Sequence, residues 1–212
     1  MAVKLKKYSL GEEIFSSVSH GVGALMAIAA TVLVIVMAAI HKNIPGVVGG
    51  SIYGGTMIVL YTMSTLYHSL TNHTAKKVFR VFDHCSIFLL IAGTYTPYCL
   101  CTLWGNGGLG ILIAIWTCAI LGIVLNAIAL DKFKTLSLIF YVIMGVAIIF
   151  KLPQLVTLLP TGGLVFMCIA GLVYLLGIIF YLIRVKYMHA IWHLFVLAGS
   201  ICFFFSILFY VV

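Results

Sequence analysis

The chain has 212 residues, 64% of them hydrophobic and only 8% charged. That composition excludes a water-soluble domain of this size, which needs a polar coat over its core, so the bilayer must solvate most of the chain. The formal net charge of +8 comes from basic residues scattered over short connecting segments, a pattern that orients membrane proteins and offers nucleic acid no continuous patch.

A transmembrane helix needs roughly 20 mostly apolar residues to cross a hydrocarbon core about 30 Å thick. The stretches free of Asp, Glu, Lys and Arg run over 14–41, 43–75, 84–130, 135–150, 152–183 and 187–212. Residues 1–16 are expected to form a short tail and 17–212 the transmembrane domain. The first span, 17–40, starts too late and runs too long for a signal-peptide core, and no small-residue cleavage site follows it. The second is expected over 46–69. The third, 82–101, carries Pro97, which is placed to kink it. Trp104-Gly-Asn-Gly-Gly108 turns the chain into a fourth span over 108–129. The fifth, 134–152, reaches membrane length once Phe133 is included and Lys151 snorkels. Pro153 and Pro160 are read as bracketing a turn before the sixth and seventh spans, 161–183 and 188–211.

The expected fold is therefore all-α, a bundle of seven transmembrane helices without an extramembrane domain. Glycines within the spans (Gly21, Gly23, Gly49, Gly50, Gly54, Gly55, Gly171, Gly177) suit close helix approach in lipid. Cys85, Cys99, Cys101, Cys118, Cys168 and Cys202 form no CxxC pair and read as buried small apolar residues. No internal repeat or mid-span charge supports a transporter.

With seven spans, the N-terminal tail and the loops near 70–81, 130–134 and 184–187 share one side. They hold Lys4, Lys6, Lys7, Lys76, Lys77, Arg80, Lys132, Lys134, Arg184 and Lys186, against Lys42 and Lys151 opposite. This bias puts the N-terminus in the cytoplasm and the C-terminus outside. The brief tail and loops suit a bacterial cell membrane.

Ionisable groups within spans mark function by default. His68 ends the second span one turn after Ser64, Asp83 opens the third, and His189 and His193 form an i, i+4 pair at the start of the seventh. Topology sends all of these to the cytoplasmic side, where three imidazoles and a carboxylate can converge. That inventory fits zinc, which takes histidine nitrogens and carboxylate or water oxygens in tetrahedral geometry. The plainer alternatives are wetted interfacial histidines, Asp83 as a helix N-cap, and Ser64 bonded back to its own helix. His84 reads as structural, His41 and His73 as solvated, and His20 as bonded to a neighbouring helix.

The chain resembles the hemolysin III proteins, the bacterial branch of the progestin and adipoQ receptor family that includes the adiponectin receptors. The resemblance lies in Glu13 with His20; in Ser64-Thr-Leu-Tyr-His68; in Asp83-His-Cys-Ser-Ile87 leading to Ala92-Gly-Thr-Tyr-Thr-Pro97; and in His189-Ala-Ile-Trp-His193. It covers almost the whole chain. The family's first motif often has Asn three residues after the Glu, where this chain has Ser16. The resemblance implies zinc held by His68, His189 and His193, a zinc-bound water held by Asp83, and Ser64 near the metal or substrate. Similarity to ceramidase-like members implies a Zn2+-dependent hydrolase of a membrane lipid amide. Two other readings stand beside it: a regulator of membrane state with a structural zinc, and a hemolysin-like lytic protein. The spans are apolar nearly all round, which is ill-suited to a pore.

Overall fold

Capping chemistry rather than hydrophobicity sets where the helices begin. In the computed structural model, which describes residues 3, 5 and 8–212, Ser9 is the N-cap of α1 (Leu10–Ile40). Its hydroxyl accepts from the Glu12 N–H at 3.4 Å, while the Glu12 carboxylate accepts from the Ser9 N–H at 2.8 Å. This reciprocal capping box starts α1 well before residue 17, the expected edge of the apolar span. Lys4, Lys6 and Lys7, counted toward the charge bias, lie outside the described residues.

Asn43 caps α2 (Ile44–Ser69) by accepting from Gly46 N–H at 2.9 Å, with Pro45 in the first turn, where its missing N–H is harmless. Asn72 caps α3 (His73–Pro97). Asp83 therefore lies inside α3 rather than at its opening, which removes its reading as an N-cap. Pro97, expected to kink the third span, closes α3, and a π-helical turn over Tyr98–Thr102 follows it. Pro153 and Pro160 do not bracket a bare turn. Pro153 sits in the first turn of a short helix, α5 (Leu152–Leu158), and Pro160 precedes α6 (Thr161–Leu182). The last helix is α7 (Met188–Tyr210).

Between the π turn and α5 lies α4 (Gly108–Val146), broken at Ala129, where φ −158° and ψ 71° are non-helical. Asn126 accepts a 2.6 Å hydrogen bond from the Ser137 hydroxyl and donates to the Tyr141 hydroxyl at 3.5 Å. In a straight helix Asn126 and Tyr141 would stand about 22 Å apart. The chain thus doubles back after Ala129.

The described residues form helices and connecting turns, and six helical stretches are long and apolar enough to cross a membrane, with Gly108–Leu158 as one of them. α2 packs between α1 and α3, α3 rests on α4, and α7 packs against both α6 and α1, while α4 and α6 touch only sparsely. Large apolar side chains such as Leu25, Ile128 and Leu172 point outward, 69%, 69% and 61% exposed. Many polar groups point inward, and several of them bond one another, as lipid favours. Ser200 of α7 accepts from the Tyr61 hydroxyl at 2.7 Å and lies 2.8 Å from that of Tyr174, and its carbonyl accepts from Tyr53 at 3.0 Å. Tyr98 donates to Ser206, which in turn donates to the Gly163 carbonyl. These bonds tie α2, α6 and the π turn to α7.

Two expectations about small residues need correction. Cys85 and Cys99 are buried, but Cys168 is exposed and Cys101, Cys118 and Cys202 are half-buried. A thiol facing acyl chains meets no polar penalty, so burial in protein is not required of it. Gly54 meets Thr31 closely enough that a Cβ would clash, as close packing predicts, yet a Cβ on Gly55 or Gly171 would find open space.

Contacts between connections define the two ends of the bundle. At one, Glu13 pairs with Lys76, Arg80 with Asp131, Lys134 lies over the Tyr181 ring, and Glu12 binds the Tyr187 N–H. This is the basic end. At the other, His41 approaches the Val212 carbonyl and Lys151 donates to the Asn106 carbonyl.

Candidate metal centre

The last turn of α2 and the first two turns of α7 meet at the basic end. His68, His189 and His193 are all buried there, and each offers a ring nitrogen such that these atoms lie within 4.8 Å of one another. One helical turn brings the Nε2 atoms of His189 and His193 to 3.3 Å. Two nitrogens bound to one tetrahedral zinc are separated by about 3.3–3.4 Å, given Zn–N bonds of about 2.0–2.1 Å. The pair is therefore spaced as co-ligands are.

His68 is oriented by a carboxylate. Its Nδ1 lies 2.7 Å from Glu13 Oε2 of α1, and the second Glu13 oxygen accepts from Lys76 Nζ at 2.8 Å. With Nδ1–H donated to Glu13, Nε2 keeps its lone pair, and this buried atom has no hydrogen-bond partner among the described residues. A buried polar atom left this way costs about 1–3 kcal/mol unless something fills the space beside it. The three imidazole donors, the 3.3 Å pair among them and this orphaned lone pair suit a metal ion that takes histidine nitrogens.

Ser64, one turn before His68, is 1% exposed, and its Oγ likewise has no partner among the described residues. It does not bond back to its own helix, as the plainer reading had it. Asp83 is not among the three side chains grouped as ligands. It instead lines an adjoining cavity of about 170 Å³ together with His20, Tyr141 and Tyr181. Beyond that polar end the lining becomes apolar, with Leu90, Ile91, Leu175, Val196 and Phe203. From Trp192 to Phe203 along α7 the cavity runs roughly 16 Å toward the opposite end. Tyr95 and Tyr141 also face it, but their hydroxyls donate to the carbonyls of Met144 and His84. Polarity is thus concentrated near the histidines.

The remaining histidines divide as the sequence indicates. His20 packs its ring on His193, with centroids 3.9 Å apart, and its Nε2 lies 3.4 Å from the His193 carbonyl. His84 is held by the Arg80 carbonyl at 2.9 Å and approaches Asp83 at 3.4 Å. His41 and His73 are exposed. Sequence reasoning gave Glu13 no role beyond its motif; its proximity to His20 was the available signal, but the partner is His68, 55 residues away. Among the described residues no second group of this kind occurs.

A family model described as haemolysin-III related matches residues 8–204. Hemolysin-3 of Bacillus cereus is 42% identical over 201 residues, covering 94% of this chain and 92% of that protein. The Hemolysin-3 homolog of Bacillus subtilis (strain 168) is 38% identical over 206 residues, 97% of each chain. The human monocyte to macrophage differentiation factor is 30% identical over 165 residues, covering 74% of this chain and 67% of that one. No solved structure matches the chain.

Proposed function

The chain belongs to the haemolysin-III-related family, and from that premise and the geometry of its histidines we propose that it is a zinc-dependent hydrolase of a membrane lipid amide. One observation carries the reading: three buried imidazoles, two of them at co-ligand spacing, lie next to an apolar cavity whose lining includes Asp83 and His20, the latter stacked on His193.

A straight helix of 51 residues would measure about 77 Å, far beyond a 30 Å hydrocarbon core. Doubling back at Ala129 divides Gly108–Leu158 into two spans and brings the total to seven. The basic end then faces the cytoplasm, the N-terminus with it, and the C-terminus lies outside. A bacterial cell membrane suits both the relatives and the short loops.

His68, His189 and His193 would hold the metal. Zinc bound by three protein ligands supplies Lewis acidity toward a carbonyl oxygen and lowers the pKa of a coordinated water toward about 7. Asp83, a buried carboxylate, would take up a proton at its carboxylate oxygen during hydrolysis, the role of a general base. Ser64, with a hydroxyl free to donate, hydrogen-bonds the oxygen that gains charge as the amide is attacked. The apolar cavity takes the acyl chain, and the sparse packing of α4 against α6 leaves a lateral way in from the bilayer.

A set of three protein ligands favours catalysis over a purely structural zinc, which four ligands normally close. The name of the Bacillus cereus relative points to lysis, but the cavity among the described residues is lined mainly by apolar side chains, which suits an acyl chain better than a water-filled pore.

The test is metal content of detergent-purified protein beside the His189→Ala/His193→Ala variant, followed by hydrolysis of lipid amides. About one zinc per chain, lost in the variant, with turnover of an amide, is the expected result. Well-folded wild type free of metal overturns the reading. Zinc without turnover leaves the regulator, and dye release from liposomes leaves the lytic protein.

A further inference from the structure

Residues just before α1 cover the histidine cluster from the basic end. Tyr8 stacks on His189, with centroids 5.0 Å apart and planes at 17°, and its ring also lies 5.6 Å from that of His68. Tyr8 thus touches one ligand candidate on α2 and one on α7. The chain around it is fastened at three points. The Ser9–Glu12 capping box fixes the turn into α1. The other Glu12 oxygen, Oε1, accepts from the Tyr187 N–H at 2.9 Å, joining the start of α1 to the connection before α7. The Tyr187 ring lies on Gly11, so close that a Cβ there would approach the phenol oxygen to 2.7 Å.

Tyr187 itself adopts φ 67°, the left-handed conformation that side-chain-bearing residues rarely take. Such strain persists only where surrounding contacts over-determine it. Here it turns the Tyr187 N–H toward Glu12 immediately before His189 begins its helix turn. The clamp and the ligand helix are therefore one connected unit.

We propose that Tyr8 is a positioning residue of the metal centre, holding the His189 imidazole plane and walling the site off from the cytosol, so that reactants arrive through the apolar cavity. The proposal rests on the three-histidine reading of the site. It goes beyond the ligand set because it assigns the N-terminal segment a part in the centre.

The test compares full-length wild type, Tyr8→Ala and Tyr8→Phe, all zinc-loaded in detergent. Zinc release is timed with EDTA, a charged chelator, and with phenanthroline, an apolar one. Wild type should yield zinc to phenanthroline faster than to EDTA. Tyr8→Ala should lose it to EDTA roughly tenfold faster and erase that difference, while Tyr8→Phe keeps the ring and behaves as wild type. On metal-free protein, diethyl pyrocarbonate should modify His189 several-fold faster in Tyr8→Ala, read by peptide mass. Tyr8 sits ahead of the first helix, so its truncation leaves the core intact, and equal thermal stability of the variants confirms this. Wild type that binds no zinc overturns the site reading, yet the modification rates still judge the wall. Equal rates in wild type and Tyr8→Ala overturn the proposal.

Discussion

His68 and Glu13, 55 residues apart in the chain, share a hydrogen bond of 2.7 Å, and Lys76 completes the chain of contacts from the opposite side of the carboxylate. The carboxylate decides which imidazole nitrogen carries the proton, and so which lone pair is offered to a metal. Outer partners of this kind typically contribute 10–100-fold to metal affinity. Glu13→Gln, which loses the charge and one good acceptor, should weaken zinc binding by roughly that factor, about 1.4–2.7 kcal/mol. Competition titration against a chelator measures it. Lys76→Met should have a smaller effect, since it leaves the hydrogen bond in place. Unchanged affinity in Glu13→Gln would mean that the carboxylate merely joins α1 to α2.

Asp83→Asn separates catalysis from binding. Asp83 stands outside the ligand group but lines the cavity next to it. The variant should keep its zinc and lose turnover of lipid amide by about 10²–10⁴-fold, the range for a missing general base. Ser64→Ala should also keep zinc, with a smaller loss. Zinc content and turnover are read on the same preparations. A metal-free Asp83→Asn protein would make the carboxylate a direct ligand and cancel the role given to it here.

The histidines could be read from the sequence because a helix repeats every 3.6 residues: His189 and His193 must share a face, and the basic loops place both with His68. What could not be read depends on packing between helices. Nothing local to Glu13 shows that it meets His68 rather than His20, because that depends on how α1 lies against α2. Helix starts were misplaced for a related reason. Hydropathy detects the lipid-facing length, whereas Ser9 and Asn72 begin α1 and α3 in the polar zone beyond it. The break within α4 was foreshadowed by the charged run Asp131–Lys134, but its pivot falls on Ala129, which carries no turn signal. The contacts of Asn126 with Ser137 and Tyr141 hold it instead.

That reversal makes a topological prediction. If the chain turns back at Ala129 and crosses again, Lys151 lies on the side of Lys42, opposite Lys77 and Lys132. Single cysteines at these positions, in a background with the six native cysteines replaced by alanine or serine, should react accordingly with an impermeant maleimide. Lys42→Cys and Lys151→Cys should label in intact cells, and Lys77→Cys and Lys132→Cys only after the membrane is opened. Labelling of Lys151→Cys only after opening would refute the seven-span count, and labelling of Lys132→Cys in intact cells the orientation.

Gly171 offers the most direct test of the cavity. It lines the apolar part beside Tyr174 and Leu175, and a Cβ placed on it meets nothing within 4 Å. Replacing a glycine inside a helix with a better helix former also stabilises the helix by up to about 1 kcal/mol. Gly171→Ala should therefore fold at least as well as wild type and change turnover little. Gly171→Leu should project an isobutyl group into the space assigned to the acyl chain. Zinc content should stay at the wild-type level, since none of His68, His189 and His193 lines the cavity. Turnover of long-chain lipid amides should fall more than that of short-chain ones, read as kcat/KM across a chain-length series. A metal-replete, stable Gly171→Leu protein that hydrolyses long and short chains as wild type does would show that the substrate lies elsewhere, and with it the case for the cavity as the acyl site would fail.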